Sequence, residues 1–259
     1  TITVDENGLA TTKDDNADVN GWSKPVDWTG ALAYGTYRVH EVIPQDVADA
    51  FKAEWGKALL PVEDWKTTIR EEGQYDPPQL VSDHIPQTPL KVVKVDAETG
   101  KQVPLPVSFQ LEDASGNLVT YTSHYPVTET IDTWTANERG ELTLPMLLEE
   151  GDYTLKEVQA PYGYVKELEG KAFRIGEDYN GWDSPLVIEF ANMPQKATIT
   201  VAKSDSWTGE AVDESVYIVK AAETIQTPDG TVRAHEGEIV ATLTTGEDGK
   251  ATTPELYLG

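Results

Sequence analysis

The chain has 259 residues, with 45 acidic side chains against 20 basic ones and a net charge of −25. That balance excludes a broad phosphate-binding face, and with it nucleic acid as a partner, and it disfavours an anionic membrane surface. Hydrophobic residues at 39% suffice for packed cores, while the absence of cysteine removes disulfides, thiolate metal sites and cysteine nucleophiles.

No apolar run is long enough to span a membrane, and Thr1-Ile2-Thr3-Val4 has neither a basic n-region nor an apolar h-region. A start without Met reads as a piece of a longer protein, so missing export or anchoring signals do not locate the parent. Early in the chain, Asp14-x-Asn16-x-Asp18 matches the first three ligand positions of a calcium loop. Val19 then stands where glycine is required and Pro25 where the closing glutamate belongs, so a solvated acidic loop is expected. His40, His84, His124 and His235 have no metal-ligand spacing, and neither a metal nor a cofactor is expected. The one helical pattern spans residues 46–59, where Val47, Phe51, Trp55 and Leu59 recur on one face.

Elsewhere, short runs rich in Val, Ile, Thr and Tyr alternate with turn clusters such as Asp113-Ala114-Ser115-Gly116, Asn137-Glu138-Arg139-Gly140 and Glu247-Asp248-Gly249. Three phrases recur. Leu90-Lys91-Val92-Val93-Lys94-Val95-Asp96 matches Ile199-Thr200-Val201-Ala202-Lys203-Ser204-Asp205. Gly151-Asp152-Tyr153-Thr154-Leu155-Lys156-Glu157-Val158 matches Gly35-Thr36-Tyr37-Arg38-Val39-His40-Glu41-Val42. Arg139-Gly140-Glu141-Leu142-Thr143 has counterparts at Asn7-Gly8-Leu9-Ala10-Thr11 and Asp248-Gly249-Lys250-Ala251-Thr252. Lys94 and Lys203 are a domain's length apart, not the short period of a solenoid. The phase implies the back part of one domain in residues 1–87, carrying the helical insertion, a complete domain in 88–196 and the front part of a third in 197–259. All are expected to be all-β sandwiches, joined by the short links Pro86-Gln87 and Pro194-Gln195.

Strand alternation marks the chemistry, because side chains at i, i+2 and i+4 share a face. Lys94 ends the apolar row of Leu90 and Val92, Glu157 that of Tyr153 and Leu155, and Asn192 that of Ile188 and Phe190. Lys203, Glu41 and Asp83 end comparable rows in the flanking units. Burial disfavours charge, favouring a neutral, nucleophilic amine and a carboxylic acid able to donate to the Asn192 carbonyl and move protons as ammonia leaves. The alternative is a buried ion pair with an amide hydrogen bond, or a lysine that reaches the rim.

The phrases Lys94-Val95-Asp96-Ala97-Glu98-Thr99-Gly100-Lys101, Glu157-Val158-Gln159-Ala160-Pro161-Tyr162-Gly163-Tyr164 and Phe190-Ala191-Asn192-Met193-Pro194 resemble the collagen-adhesin B-type (Cna-B) and SpaA-like domains of Gram-positive surface adhesins and pilins. The resemblance implies Ig-like or prealbumin-like β-sandwiches and an extracellular, cell-wall-anchored parent. It also implies a spontaneous isopeptide bond between Lys94 and Asn192, assisted by Glu157. By the same resemblance Asp83 and Glu41 would be electrophile and acid of the first unit, and Lys203 the amine of the third. Val42-Ile43-Pro44 departs from the family phrase after Glu41. The expected function is a structural stalk segment, not an enzyme, whose partners are neighbouring domains of its own chain. The alternative is a module binding host matrix protein or glycan through the first unit's insertion, with Trp22, Trp28, Trp55 and Trp65 as its aromatic surface. A hydrolase using paired carboxylates has no support beyond the abundance of acid.

Overall fold

The computed structural model describes residue 6 and residues 34–70, 80–179, 181–183 and 185–258, apart from the side chain of Trp182. Two compact units divide the chain, Thr1–His84 and Ile85–Gly259. The loop Asp14-x-Asn16-x-Asp18 and Trp22 and Trp28 lie outside the described residues.

In the first unit β1 (Gly35–Val39) pairs antiparallel with β2 (Trp65–Ile69), Tyr37 opposite Thr67, and α1 (Gln45–Trp55) lies between them in the chain. The helix is shorter than the apolar spacing predicts. Gly56 takes a left-handed conformation at φ 71° and its N–H caps the Lys52 carbonyl, which ends the helix before Leu59 could join it. Asp46 in the first turn and Lys52 in the last complement the helix dipole. None of its residues is buried, so the row of Val47, Phe51 and Trp55 is not the core face its spacing suggests.

The second unit opens with a two-layer sandwich. Its strands are β3 (Gln87–Asp96), β4 (Ser108–Asp113), β5 (Tyr121–Ser123), β6 (Glu129–Ile131), β7 (Trp134–Thr135), β8 (Glu141–Glu149), β9 (Gly151–Gln159), β10 (Lys171–Ile175) and β11 (Leu186–Asn192). One sheet has the order β10-β9-β4-β7, the other β11-β3-β8, and β5 pairs with β6 as a separate hairpin. Leu90, Val92, Phe109, Leu111, Leu144, Leu155, Ile175 and Phe190 form the dry centre, with Phe109 and Phe190 edge to face at 5.0 Å. The first and last strands of the sandwich, β3 and β11, run parallel side by side, Phe190 opposite Lys94 and Asn192 opposite Asp96. Two residues far apart in sequence are thereby brought onto one inward face.

Short strands follow the sandwich: β12 (Lys196–Ala197) pairs with β19 (Leu256–Tyr257), β13 (Thr200–Ala202) with β18 (Lys250–Thr252), β14 (Val216–Lys220) with β17 (Ile239–Thr244), and β15 (Ile225–Gln226) with β16 (Val232–Ala234). The recurrent phrases fold alike. Lys94 N donates to Gly140 O at 2.8 Å and Lys203 N to Gly249 O at 2.8 Å. Val103 N returns to Lys94 O, and Val212 N to Lys203 O. Gly140 and Gly249 both have positive φ, and a Cβ on them would meet the Val103 and Lys203 carbonyl oxygens at 2.0 and 2.4 Å. The turn glycine therefore lets the β8 end of the sandwich close onto the backbone of the lysine-bearing strand.

Gly140→Ala is expected to destabilise the second unit by at least about 1 kcal/mol, since it combines left-handed strain with a backbone clash. Thermal unfolding of wild type and variant checks this.

Candidate functional site

Lys94, Glu157 and Asn192 meet at the end of the sandwich core. Their burial follows from the pleat: on β3 Leu90, Val92 and Lys94 are all buried, on β11 Ile188, Phe190 and Asn192, and on β9 Leu155 and Glu157. Lys94 is 0% exposed, Asn192 2% and Glu157 4%, against the cost of removing such groups from water. The lysine does not reach the rim.

The amine is held by Phe190 O at 2.8 Å and Val95 O at 3.3 Å, and lies 5.5 and 5.8 Å from the ring centroids of Phe190 and Tyr164. Burial pushes the Lys94 ammonium down to about 8, against the opposing pull of the Glu157 and Asp96 charges. A measurable fraction is therefore neutral near pH 7. Asn192 Nδ2 donates towards Glu157 Oε1 at 2.9 Å, Glu157 Oε2 at 2.7 Å and the Val165 carbonyl at 2.8 Å. A backbone carbonyl can only accept, so Val165 fixes which end of the amide faces this way. Sequence reasoning places Glu157 on the Asn192 carbonyl, whereas its oxygens face the amide nitrogen. Asn192 Oδ1 is buried without a hydrogen-bond partner among the described residues. The amide thus presents its NH2 to a carboxyl and leaves its carbonyl uncommitted. Glu157 is itself anchored, accepting from Glu167 N at 2.8 Å.

Two further residues complete the surroundings. Asp96 is 0% exposed and accepts from Glu98 N and Thr99 N on Oδ1, and from the Tyr164 hydroxyl at 3.0 Å on Oδ2. Burial, together with the bond to Asp96 and its charge, raises the Tyr164 hydroxyl above its ordinary range, so it remains a donor. Both residues stood in the family phrases, but neither ends an apolar row that alternation would single out. Arg233, which reaches Asp96 Oδ2 at 3.3 Å from β16, had no signal in the sequence.

The flanking positions differ. In the first unit Tyr37, Val39 and Glu41 share a half-buried face, and Glu41 Oε2 accepts from Val62 N at 2.9 Å. Asp83 lies beside Glu41: partial burial, then the hydrogen bond and charge of Glu41, raise its carboxyl. Asp83 and Val81 are nevertheless exposed and outside any strand, so the inward row through Val81, Asp83 and Ile85 does not form. Lys203 is exposed too, because no packed sheet covers the face it shares with Ile199 and Val201 among the described residues. Trp55 is 62% exposed and Trp65 half-buried in β2. Of the four histidines, His40 bonds Asp64 at 2.6 Å, and among the described residues no cluster could hold a metal ion. No helix among them is long and apolar enough to cross a membrane.

A sandwich closed by parallel first and last strands, with polar groups sealed at its end, defines a prealbumin-like all-β domain. Residues 88–182 match the model of the SpaA family, described as a prealbumin-like fold domain. Among solved structures, the Bacillus anthracis TIE protein is 20% identical with a TM-score of 0.43, covering 77% of this chain and 35% of its own. The Streptococcal ancillary pilin is 18% identical with a TM-score of 0.34, covering 89% and 66%. The shaft pilin SpaA from Lactobacillus rhamnosus GG is 15% identical with a TM-score of 0.31, covering 53% and 60%. The chain thus spans about a third of the first of these and less than two thirds of the others. Curated protein sequences give no match.

Tyr164→Phe removes one donor from a buried carboxylate and is expected to cost about 1.5–3 kcal/mol, read as a lowered urea midpoint.

Proposed function

We propose that the chain is a stalk segment of a Gram-positive cell-surface protein, a pilin or adhesin, in which domain 88–196 is closed by an isopeptide bond between Lys94 and Asn192. The observation that carries this reading is the sealed trio itself. A buried amine inclined to lose its proton, an amide whose nitrogen faces a carboxyl, and that carboxyl occupy one end of the core. The SpaA match supports the stalk and the surface location.

The reaction is a transamidation. Neutral Lys94 Nζ attacks Asn192 Cγ, and charge collects on Oδ1 in the tetrahedral adduct. Glu157 relays a proton from the attacking nitrogen to the leaving Nδ2, which it already contacts. The Cγ–Nδ2 bond breaks, ammonia departs, and the new Nζ–Cγ amide joins β3 to β11. One turnover consumes both reactants, so the segment is not an enzyme toward an external substrate. The bond closes the chain between residues 94 and 192, a loop whose tethering removes about 4–5 kcal/mol of unfolded-state entropy if it acts as a disulfide does. In a stalk it also carries tension directly between the first and last strands.

Intact mass tests this. The purified wild-type chain is expected to weigh one ammonia less than its sequence, while Lys94→Ala and Glu157→Ala have the full mass of their own sequences; a full wild-type mass in folded protein overturns the reading. If the chain is kept in urea from synthesis onward and then refolded by dilution, the rate of ammonia loss should follow the neutral amine. It rises about tenfold per pH unit below 8 and levels off above.

A further inference from the structure

The amine that would react is flanked on its own strand by a carboxylate, Asp96, whose charge favours the protonated form of Lys94. Asp96 is fully buried, and its position opposite Asn192 in the β3–β11 register keeps it at the site. Three of its four donors, Glu98 N, Thr99 N and the Tyr164 hydroxyl, belong to the sandwich. The fourth, Arg233, is 137 residues away in sequence and is its ion-pair partner at 3.3 Å.

Arg233 is built into place. Its guanidinium stacks on the Tyr257 ring at 4.3 Å, Nε donates to Thr227 Oγ1 at 3.1 Å, and Nη1 reaches Tyr257 Oη at 3.2 Å and Glu98 Oε2 at 3.1 Å. Only 11% of the side chain is exposed. The turn after Asp96 is seated on the same surface. Thr99 Oγ1 donates to Asp229 Oδ2 at 2.7 Å, Lys101 Nζ to Thr231 Oγ1 at 3.0 Å, and Lys196 pairs with Glu98 at 2.6 Å. Burial opposes charge on Asp229, but hydrogen bonds from Thr227, Thr231 and Thr99 outweigh it and hold the carboxyl well below its usual range, so the acceptor stays ionised. The counterpart Asp205 makes the same turn, with Trp207 N and Thr208 N on its Oδ1, yet it is exposed. The guanidinium and the tyrosine are what distinguish Asp96.

We propose that Arg233 is a positioning residue for the Lys94–Asn192 cross-link, acting across the joint through Asp96, so that docking of residues 197–258 sets the readiness of Lys94 to react. This rests on the cross-linking reading above. Glu157 from β9, Asp96 from β3 and Tyr164 from the loop after β9 are the titratable groups around the amine, with Glu98, Asp229 and Lys196 behind them. With Arg233 present, the Asp96 charge is shared with a guanidinium and its hold on the Lys94 proton weakens. Without it, the uncompensated carboxylate keeps the amine protonated to higher pH and slows attack on Asn192 Cγ, the ammonia-releasing step itself being unchanged.

The full chain, held in urea from synthesis and refolded by dilution at pH values on both sides of 8, is followed by intact mass. Arg233→Met should move the midpoint of the rate profile to higher pH, and a midpoint one pH unit higher slows the reaction at pH 7 about tenfold. Arg233→Lys should return it towards wild type. In Arg233→Met/Asp96→Asn the upward displacement should vanish, and Asp96→Asn alone should lower the midpoint, which keeps the test open if Arg233→Met fails to refold. A midpoint unmoved in Arg233→Met, even with lower stability, or unmoved in Asp96→Asn, overturns the proposal and leaves Arg233 a purely structural joint. Wild type that loses no ammonia at any pH brings down the cross-linking reading instead.

Discussion

The end of the sandwich core is organised around an amine with no route to water. Lys94 emerges from a strand whose preceding inward residues are Leu90 and Val92, and its nitrogen is held by backbone carbonyls and flanked by aromatic rings. A buried ammonium is costly unless compensated, and the charges of two nearby carboxylates, Glu157 and Asp96, themselves buried, offset part of that cost. The fold must then satisfy those carboxylates. Glu157 takes the Asn192 amide and the Glu167 N–H, and Asp96 takes two turn N–H groups, a phenol and a guanidinium. One buried lysine thus imposes an order on the strands around it, a loop and the neighbouring residues 227–257.

That chain of dependence explains why the residues near Asp96 form a polar joint in place of an apolar one. A hydrophobic contact could hold residues 196–257 against the sandwich, but it would leave the Asp96 carboxylate a donor short. The charge-assisted bonds from Arg233 and the threonine hydroxyls around Asp229 satisfy buried charge and fix relative orientation together. Because the charge of the same carboxylate acts on the Lys94 amine, the joint and the proposed chemistry share a single charge.

Much of this was legible in the sequence because the strand period is two. Alternation put Lys94, Glu157 and Asn192 inward, and all three are buried. The repeated turn glycines Gly140 and Gly249 occupy equivalent left-handed positions under their lysines. Three things were not legible. The amide orientation of Asn192 depends on the Val165 carbonyl, a backbone group that no side-chain pattern announces. Arg233 contributes through a contact between distant segments, and no local period encodes that. The helix pattern overran its end because four-residue apolar spacing continues to Leu59, while Gly56 had already turned the backbone left-handed. Alternation also failed at Asp83 and Lys203, where a row of residues has the pattern of a buried face but nothing described packs over it.

The central claim is that Lys94 and Asn192 are reactants, with Glu157 moving the proton between them, and that the trio is not merely a buried polar cluster. Protease digestion of the folded, purified chain followed by tandem mass spectrometry addresses it at the level of the bond. A branched species is predicted in which the peptide bearing Lys94 is joined through Nζ to the peptide bearing Asn192, and it should be absent from Glu157→Ala. Recovery of those two peptides as separate, linear species with an intact asparagine amide would contradict the account.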